Sequence, residues 1–143
     1  MLSVSERFWR NVELQCYLLL IRKLGFEMIS PSLDLGCGDG QFASSLVPYL
    51  RTGNVDVGLD ISSRNIKAMT INPYKELLIA DARRMPFKAD EFNAVISNCT
   101  LEHIEGLDKV FSEIARILRH DGILIFTVPS EFFNNLLCFS QDY

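Results

Sequence analysis

The chain has 143 residues and a net charge of −4; 48% of its residues are hydrophobic and 22% are charged. This length allows a single domain with one core, and the acidic balance without a long basic run argues against a nucleic-acid-binding face. The longest apolar stretch near the N-terminus, residues 16–21, is too short to span a bilayer, and residues 1–15 do not resemble a signal peptide.

Short apolar runs alternate with amphipathic stretches along the chain. A helix is predicted over residues 5–24, where Ser3 and Glu6 resemble a capping box and Gly25 follows the last turn. Five strands are predicted at Ser32–Leu35, Asp56–Leu59, Leu77–Ala80, Asn93–Ser97 and Ile123–Val128. Further helices are predicted between them at Gln41–Leu50, Ser62–Thr70 and Leu107–Leu118.

Continuous apolar strands joined by helical crossovers are typical of a parallel sheet that is buried on both faces. Because such crossovers are right-handed, the expected fold class is α/β with a doubly wound, mostly parallel sheet. In sheets of this kind the ligand crevice lies at the carboxyl ends of the strands, where the strand order reverses.

The first predicted strand runs into Leu-Asp-Leu-Gly-Cys-Gly-Asp-Gly at residues 33–40. Glycines let the backbone approach a ligand closely, and the helix N-terminus that follows suits an anionic or polar group. The spacing Gly36-x-Gly38-x-Gly40, followed by Gln41, departs from the dinucleotide fingerprint G-x-G-x-x-G. The predicted ligand is therefore a nucleoside without a pyrophosphate.

Polar residues follow the predicted strands at the same edge of the sheet. Asp60 can bind a ribose diol or, alternatively, cap the next helix. Asp81 and the backbone of Ala82 can read adenine, although Asp81 can also be an ordinary turn residue. Asp34 can meet an ammonium group or brace the glycine turn. Asn98 is placed to bond the amino-acid portion of the ligand.

The catalytic group is left open by the sequence. His103 is a candidate general base because imidazole titrates near neutrality, and the favoured alternative is that it orients its loop. Cys99 has no base placed beside it for nucleophilic work. The four cysteines, Cys16, Cys37, Cys99 and Cys138, show neither metal nor disulfide spacing, which favours a reduced, cytoplasmic protein without a metal.

Taken together, these features resemble the class I S-adenosylmethionine-dependent methyltransferases, and most of all the small-molecule branch that includes the quinone-biosynthesis C-methyltransferases. Five blocks occur in the order of that family: Leu33–Gly40, Val57–Ile61, Ala80–Phe87, Phe92–Ile104 and Ile117–Pro129. The resemblance implies a Rossmann-like fold with S-adenosylmethionine as cofactor and S-adenosylhomocysteine as product. It implies cofactor contacts from Asp34, Gly36, Gly38, Gly40, Asp60, Ile61, Asp81, Ala82 and Asn98.

The implied reaction is methyl transfer to a small-molecule acceptor by in-line displacement, for which positioning and desolvation suffice without a metal. One alternative is a cofactor-binding module or fragment without its own catalysis. A nicotinamide dehydrogenase is disfavoured by Gln41, and nucleic-acid methylation by the acidic balance. No membrane partner is expected.

The family fold normally continues after its fifth strand with a helix and an antiparallel hairpin. We expect one domain over 1–143, with a helical segment at 1–29, a cofactor-binding core at 30–129 and a tail at 130–143. The tail is too short for the hairpin, so the hairpin is expected to be missing and the chain to be a fragment. An uncovered fifth strand then favours a homo-oligomer through that edge.

Overall fold

The computed structural model describes residues 4–25 and 28–129, so the predicted tail and Cys138 lie outside the described residues. The strands are β1 Ser32–Leu35, β2 Val55–Asp60, β3 Tyr74–Ile79, β4 Phe92–Asn98 and β5 Leu118–Thr127. The α-helices are α1 Val4–Leu24, α2 Gln41–Leu46, α3 Ser63–Lys67 and α4 Leu107–Ile117. Short 3₁₀ turns occupy Val47–Tyr49 and Leu101–His103.

The five strands form one parallel sheet in the order β3-β2-β1-β4-β5. The chain builds outward from β1 to β3, then returns to the other side of β1 to place β4 and β5. This reversal between β1 and β4 opens a crevice at their carboxyl ends. The α/β fold class and the parallel sheet expected from the sequence are confirmed.

Both faces of the sheet are buried, which explains why its central strands are continuously apolar. One core cluster joins α1 and α2 to the sheet, with Tyr17, Phe42, Leu46, Ala94 and Ile96 among its members. The other packs α4 on the opposite face, with Leu33, Leu35, Val95, Val110 and Ile114 among its members. Alternate residues of β4 therefore serve two cores, while β1 contributes Leu33 and Leu35 to the second.

Helix α1 is fixed to the sheet by a buried tyrosine. The Tyr17 hydroxyl donates to the carbonyl of Ser97 at 2.7 Å and to that of Ile125 at 3.2 Å. Because those carbonyls belong to β4 and β5, α1 crosses the half of the sheet that borders the crevice. Among the described residues, no helix has the length and apolar character needed to cross a membrane.

Several element boundaries differ from the prediction, among them the end of the second helix and the starts of β3 and β5. The second helix stops at Leu46 and tightens into a 3₁₀ turn around Pro48, whose ring removes a backbone donor. Strand β3 begins at Tyr74 rather than Leu77, because exposed polar residues on an edge strand leave no apolar run to recognise. Strand β5 follows α4 directly and bulges between the pairs Phe92–Leu118 and Ala94–Ile123.

Strand β5 forms one edge of the described sheet and carries half-exposed aromatic surface. Phe126 is 43% exposed and stacks edge-on with the 40% exposed Phe111 of α4, with 6.3 Å between ring centroids. We expect pairing between copies along this edge, seen as earlier elution in size-exclusion chromatography as concentration rises. Phe126→Lys should delay elution, and a concentration-independent monomer would count against the pairing.

Candidate functional site

A cleft of about 810 Å³ lies at the carboxyl ends of β1 to β4. Trp9, Arg10 and Glu13 of α1 line its opposite wall. The expected site residues found in its lining are Asp34, Gly36, Gly38, Asp60, Ile61, Asp81, Ala82, Asn98 and His103. Gly40 is set back from this lining, where an added Cβ would lie 3.0 Å from the Met69 side chain.

The glycine turn after β1 is held by the end of β2. The amides of Gly36 and Cys37 donate to the Leu59 carbonyl at 2.7 and 3.0 Å. The Gly38 amide donates to Oδ2 of Asp60 at 2.8 Å. The adjacent strand therefore fixes the turn, and its amides are already oriented before a ligand arrives.

Two glycines of the turn are needed for different reasons. Gly36 has φ +80°, and a Cβ there would lie 2.2 Å from the Thr100 side chain, so the protein itself fills that space. Gly38 has φ +56° and no atom within 4 Å of an added Cβ. The missing side chain of Gly38 thus leaves open room beside the backbone, where a bound molecule can lie.

Asp60 uses both carboxylate oxygens to fix backbone around the cleft. Oδ1 accepts from the Ser62 amide at 2.7 Å, while Oδ2 accepts from Gly38. The N-cap of α3 is Ser62, whose hydroxyl accepts from the Asn65 amide. Since each carboxylate oxygen has two lone pairs, Asp60 keeps acceptor capacity for a ligand hydroxyl.

Asp34 is 2% exposed, and its described hydrogen bond is with the side chain of Tyr74. The Tyr74 hydroxyl donates to Oδ2 at 2.6 Å. Burial raises the pKa of Asp34 to about 7; the Tyr74 hydrogen bond opposes the rise, and the charge of Asp60 adds to it. Among the described contacts, turn bracing comes from Leu59 and Asp60 rather than from Asp34.

Asp81 is held in a bidentate pair with Arg83 beside the buried Ala82. The guanidinium donates to both carboxylate oxygens, with Nη2 at 2.6 Å from Oδ2, and the Arg83 amide also donates to Oδ1. This pairing lowers the pKa of Asp81 to about 2. An adenine amine at this position must share the carboxylate with Arg83, a partly exposed pair of modest strength.

The side chain of Asn98 is tied at both ends. Its Nδ2 donates to Glu13 of α1 at 3.0 Å, and its Oδ1 accepts from the Thr127 hydroxyl at 2.7 Å. The thiol of Cys99 also donates to Glu13, at 3.4 Å. Burial and the nearby Glu13 raise the pKa of Cys99 to about 11, so this thiol stays protonated at neutral pH.

His103 lies at the outer rim of the cleft. Its side chain is 77% exposed, and its Nε2 is 3.9 Å from the carboxylate of Glu102, its neighbour in the 3₁₀ turn. This placement leaves the imidazole accessible from solvent and from the cleft. The general-base and loop-orienting roles of His103 both stay predictions.

The described lining of the cleft is acidic. Six carboxylates face two guanidinium groups, the acids being Glu13, Asp34, Asp39, Asp60, Asp81 and Glu105 and the bases Arg10 and Arg83. Within the described part of the chain, neither Asp34 nor Asp60 forms an ion pair with a cation. The arrangement is suited to a ligand that carries positive charge and hydroxyl groups.

Two side chains that hydrogen-bond to expected site residues, Tyr74 and Glu13, escaped sequence reasoning. Tyr74 lies 40 residues from its partner Asp34, and Glu13 lies 85 residues from Asn98. The sequence carried one local signal for the Tyr74 contact. Gly58 lies inside a strand, where a glycine often marks the close approach of another group. No local pattern pointed to Glu13.

The family assignment follows from sequence comparison. A family described as a methyltransferase domain matches residues 33–126, from β1 into β5. The chain belongs to this family. It is a class I S-adenosylmethionine-dependent methyltransferase domain, as the five sequence blocks predicted. The buried acids without a cationic partner and the open space at Gly38 fit a cationic nucleoside such as S-adenosylmethionine.

Named relatives differ in their acceptors. The chain is 32% identical to a malonyl-[acyl-carrier protein] O-methyltransferase of Legionella pneumophila over 114 residues, covering 76% of this chain and 40% of that protein. It is 32% identical to a demethylmenaquinone methyltransferase of Streptomyces avermitilis over 94 residues, covering 65% and 39%. The quinone-type enzyme predicted from the sequence is thus one of several similar kinds.

A solved structure matches nearly the whole chain. The PH0226 protein of Pyrococcus horikoshii superimposes with a TM-score of 0.71 at 28% identity, covering 99% of this chain and 64% of that one. The chain spans 36 to 40% of the length of the first curated relatives it matches. The domain therefore corresponds to part of those proteins.

Replacing Gly36 or Gly38 with alanine should distinguish a glycine that is needed for packing from one that is needed for ligand access. We expect Gly36→Ala to cost about 2–4 kcal/mol of unfolding free energy, because strain at positive φ adds to a collision with Thr100. Gly38→Ala should cost about 1–2 kcal/mol and mainly weaken ligand binding. Urea unfolding and calorimetric titration measure both; equal stability losses would contradict the distinction.

Asp34→Asn should stabilise the ligand-free protein more at pH 8 than at pH 5. The pKa of Asp34 is raised from 3.8 to about 7, so its contribution to stability is full below pH 3.8 and lost as pH rises through 7. Asparagine cannot ionise and removes that loss. We expect a difference between the two pH values on the order of 1 kcal/mol or more in urea unfolding; an equal effect at both would refute it.

Proposed function

We propose that this domain binds S-adenosylmethionine in the cleft and transfers its methyl group to a small-molecule acceptor. The observation that carries the proposal is the cleft at the strand reversal, where Gly38 leaves open room and the buried residues Asp34 and Asp60 belong to the same lining. Membership of the methyltransferase family supports methyl transfer as the reaction in this cleft.

Each part of the cofactor has a matching group in the cleft. Asp60 is proposed to accept hydrogen bonds from the ribose hydroxyls, and Ile61 adds an exposed apolar side chain beside it. Asp81 and Ala82 are proposed to contact adenine. Asn98 supports the methionine end, with the glycine turn opposite. This order follows the strand ends from β3 across to β4.

The chemistry asks little of the protein beyond placement. S-adenosylmethionine supplies an activated methyl group. The acceptor forms a bond to the methyl carbon while the S–CH₃ bond breaks, and sulfur keeps the electron pair of the broken bond. The carboxylates hold the positive donor, and the cleft positions it for the acceptor. A proton leaving the acceptor can be taken up by His103 at the rim or by solvent.

The acceptor is proposed to enter on the α1 side of the cleft. Trp9 and Arg10 line that wall, and Glu13 stands over Asn98 and Cys99. An aromatic and polar wall suits a small molecule, a quinone-like ring among them. The acidic lining disfavours a polyanion, which argues against nucleic acid as the acceptor.

A cofactor-binding module without its own catalysis is the second candidate. It is favoured by the span of the chain, which is 36 to 40% of its first curated relatives, because parts of an acceptor site can lie in the remainder. Cofactor binding without turnover in this chain, and turnover in a longer chain, would identify it.

A cytoplasmic location also stays a proposal, supported by the free thiols of Cys16, Cys37 and Cys99.

Ligand binding tests the cofactor assignment. Trp9 is the sole tryptophan of the chain and lines the cleft, so its fluorescence reports on a bound ligand. We expect S-adenosylhomocysteine to bind and NAD not to bind. Asp60→Ala should weaken S-adenosylhomocysteine by roughly 1–3 kcal/mol, the range for a lost hydrogen bond to a charged group.

Ser62→Ala is the matched control for this variant. It removes the N-cap of α3 without removing the carboxylate, so it should lower stability by about 1 kcal/mol and leave affinity unchanged. If Asp60→Ala binds as well as the original chain, Asp60 serves only the backbone around it. If NAD binds and S-adenosylhomocysteine does not, the cofactor proposal fails.

A further inference from the structure

A tyrosine reaches Asp34 from two strands away. Tyr74 begins β3, β2 lies between, and Asp34 is in β1. The ring crosses β2 at Gly58, where an added Cβ would lie 3.0 Å from the Tyr74 ring atoms. Gly58 therefore clears the path that lets the hydroxyl donate to Oδ2 of Asp34 at 2.6 Å.

The surroundings of Asp34 offer no positive charge within the described residues. The titratable groups that act on it or feel its charge are Tyr17 of α1, Cys37 of the glycine turn, Asp60 at the end of β2 and Tyr74 of β3. None of these is a cation. The neutral hydroxyl of Tyr74 is thus the described group that favours the ionised carboxylate by hydrogen bonding.

Tyr74 is itself held in its neutral form. Burial raises its pKa far above the usual range, and the charge of Asp34 adds to this effect. The phenol proton therefore stays on Tyr74 and remains available for donation. A hydrogen bond from a neutral donor to a buried carboxylate favours the anion over the protonated acid.

We propose that Tyr74 is a positioning residue of the cofactor site, which reaches over Gly58 to hold the Asp34 carboxylate ionised and oriented for a positive group of the cofactor. The inference rests on the proposed binding of S-adenosylmethionine in this cleft. The positive group is either the ammonium or the sulfonium of the cofactor. Tyr74 itself lies outside the residues that line the cleft.

The proposal makes cofactor affinity depend on pH through Asp34. As pH falls through about 7, Asp34 takes up a proton and its attraction for a cation is lost. Removing the Tyr74 hydroxyl should move this midpoint upward by about one unit. The ionised fraction at pH 6.5 then falls about eightfold, while at pH 9 it changes little.

The first experiment needs no ligand. Carbonyl ¹³C shifts of aspartate are followed against pH in the original chain and in Tyr74→Phe, with Asp34→Asn to assign the signal. We expect the Asp34 midpoint to rise in Tyr74→Phe. An unchanged midpoint in a folded variant would overturn the proposal whether or not the cleft binds the cofactor.

The second experiment measures affinity from pH 6 to 9 with S-adenosylmethionine and S-adenosylhomocysteine. The affinity of Tyr74→Phe should be about eightfold lower than that of the original chain at pH 6.5 and little changed at pH 9. Loss with both ligands identifies the ammonium as the positive group, and loss with S-adenosylmethionine alone identifies the sulfonium. His103 also lines the cleft, but it is common to both proteins and cancels in their comparison.

Tyr17→Phe is the matched control. It removes another buried hydroxyl, one that donates to the carbonyls of Ser97 and Ile125 rather than to a carboxylate. It should lower the free energy of unfolding. It should move neither the midpoint of the Asp34 titration nor the midpoint of the affinity profile against pH. An equal shift in both variants would mean that general loosening, not the bond to Asp34, sets the profile, and the proposal would fall.

If Tyr74→Phe does not fold, 3-fluorotyrosine incorporation in the Tyr17→Phe background keeps the ring and strengthens the hydroxyl as a donor. The Asp34 midpoint should then fall, and an unchanged midpoint contradicts the proposal. Failure of the original chain to bind either ligand refutes the proposed function, whereas the ligand-free titration still decides the role of Tyr74.

Discussion

Two buried carboxylates at the ends of adjacent strands, without a cation beside them in the described chain, are the constraint on which this site depends. Asp34 lies one residue before the end of β1, and Asp60 ends β2. Parallel pairing of these strands brings both acids to one edge of the sheet. Placing two negative charges in a poorly solvated region is costly, and the cost is offset by backbone amides at Asp60 and one hydroxyl at Asp34.

This arrangement exchanges stability for recognition. The glycine turn is fixed by Leu59 and Asp60, so the ligand need not order the backbone on arrival. The charge of Asp34 is not balanced in that way, which is why its pKa lies near 7. A cationic ligand can supply the positive charge that balances the Asp34 carboxylate. The free energy gained by balancing that charge then contributes to the binding of the ligand.

Helix α1 connects the wall of the cleft to the half of the sheet that contains β4 and β5. Tyr17 fixes it to β4 and β5, and four residues earlier Glu13 reaches Asn98 and Cys99 at the end of β4. The same helix thus packs the core and closes one wall of the cleft. Any displacement of α1 would alter the support of Asn98.

Much of this molecule is determined by its sequence alone. The glycine turn, the five strands and the acids that follow them were predictable because each depends on residues close together in the chain, and because carboxyl ends of parallel strands share an edge. The methyltransferase family followed from the same local blocks. What the sequence left undecided were contacts over long separations, such as Tyr74 with Asp34 and Glu13 with Asn98. Those contacts depend on strand order, on register and on the path of a ring over Gly58, and only the assembled sheet determines them.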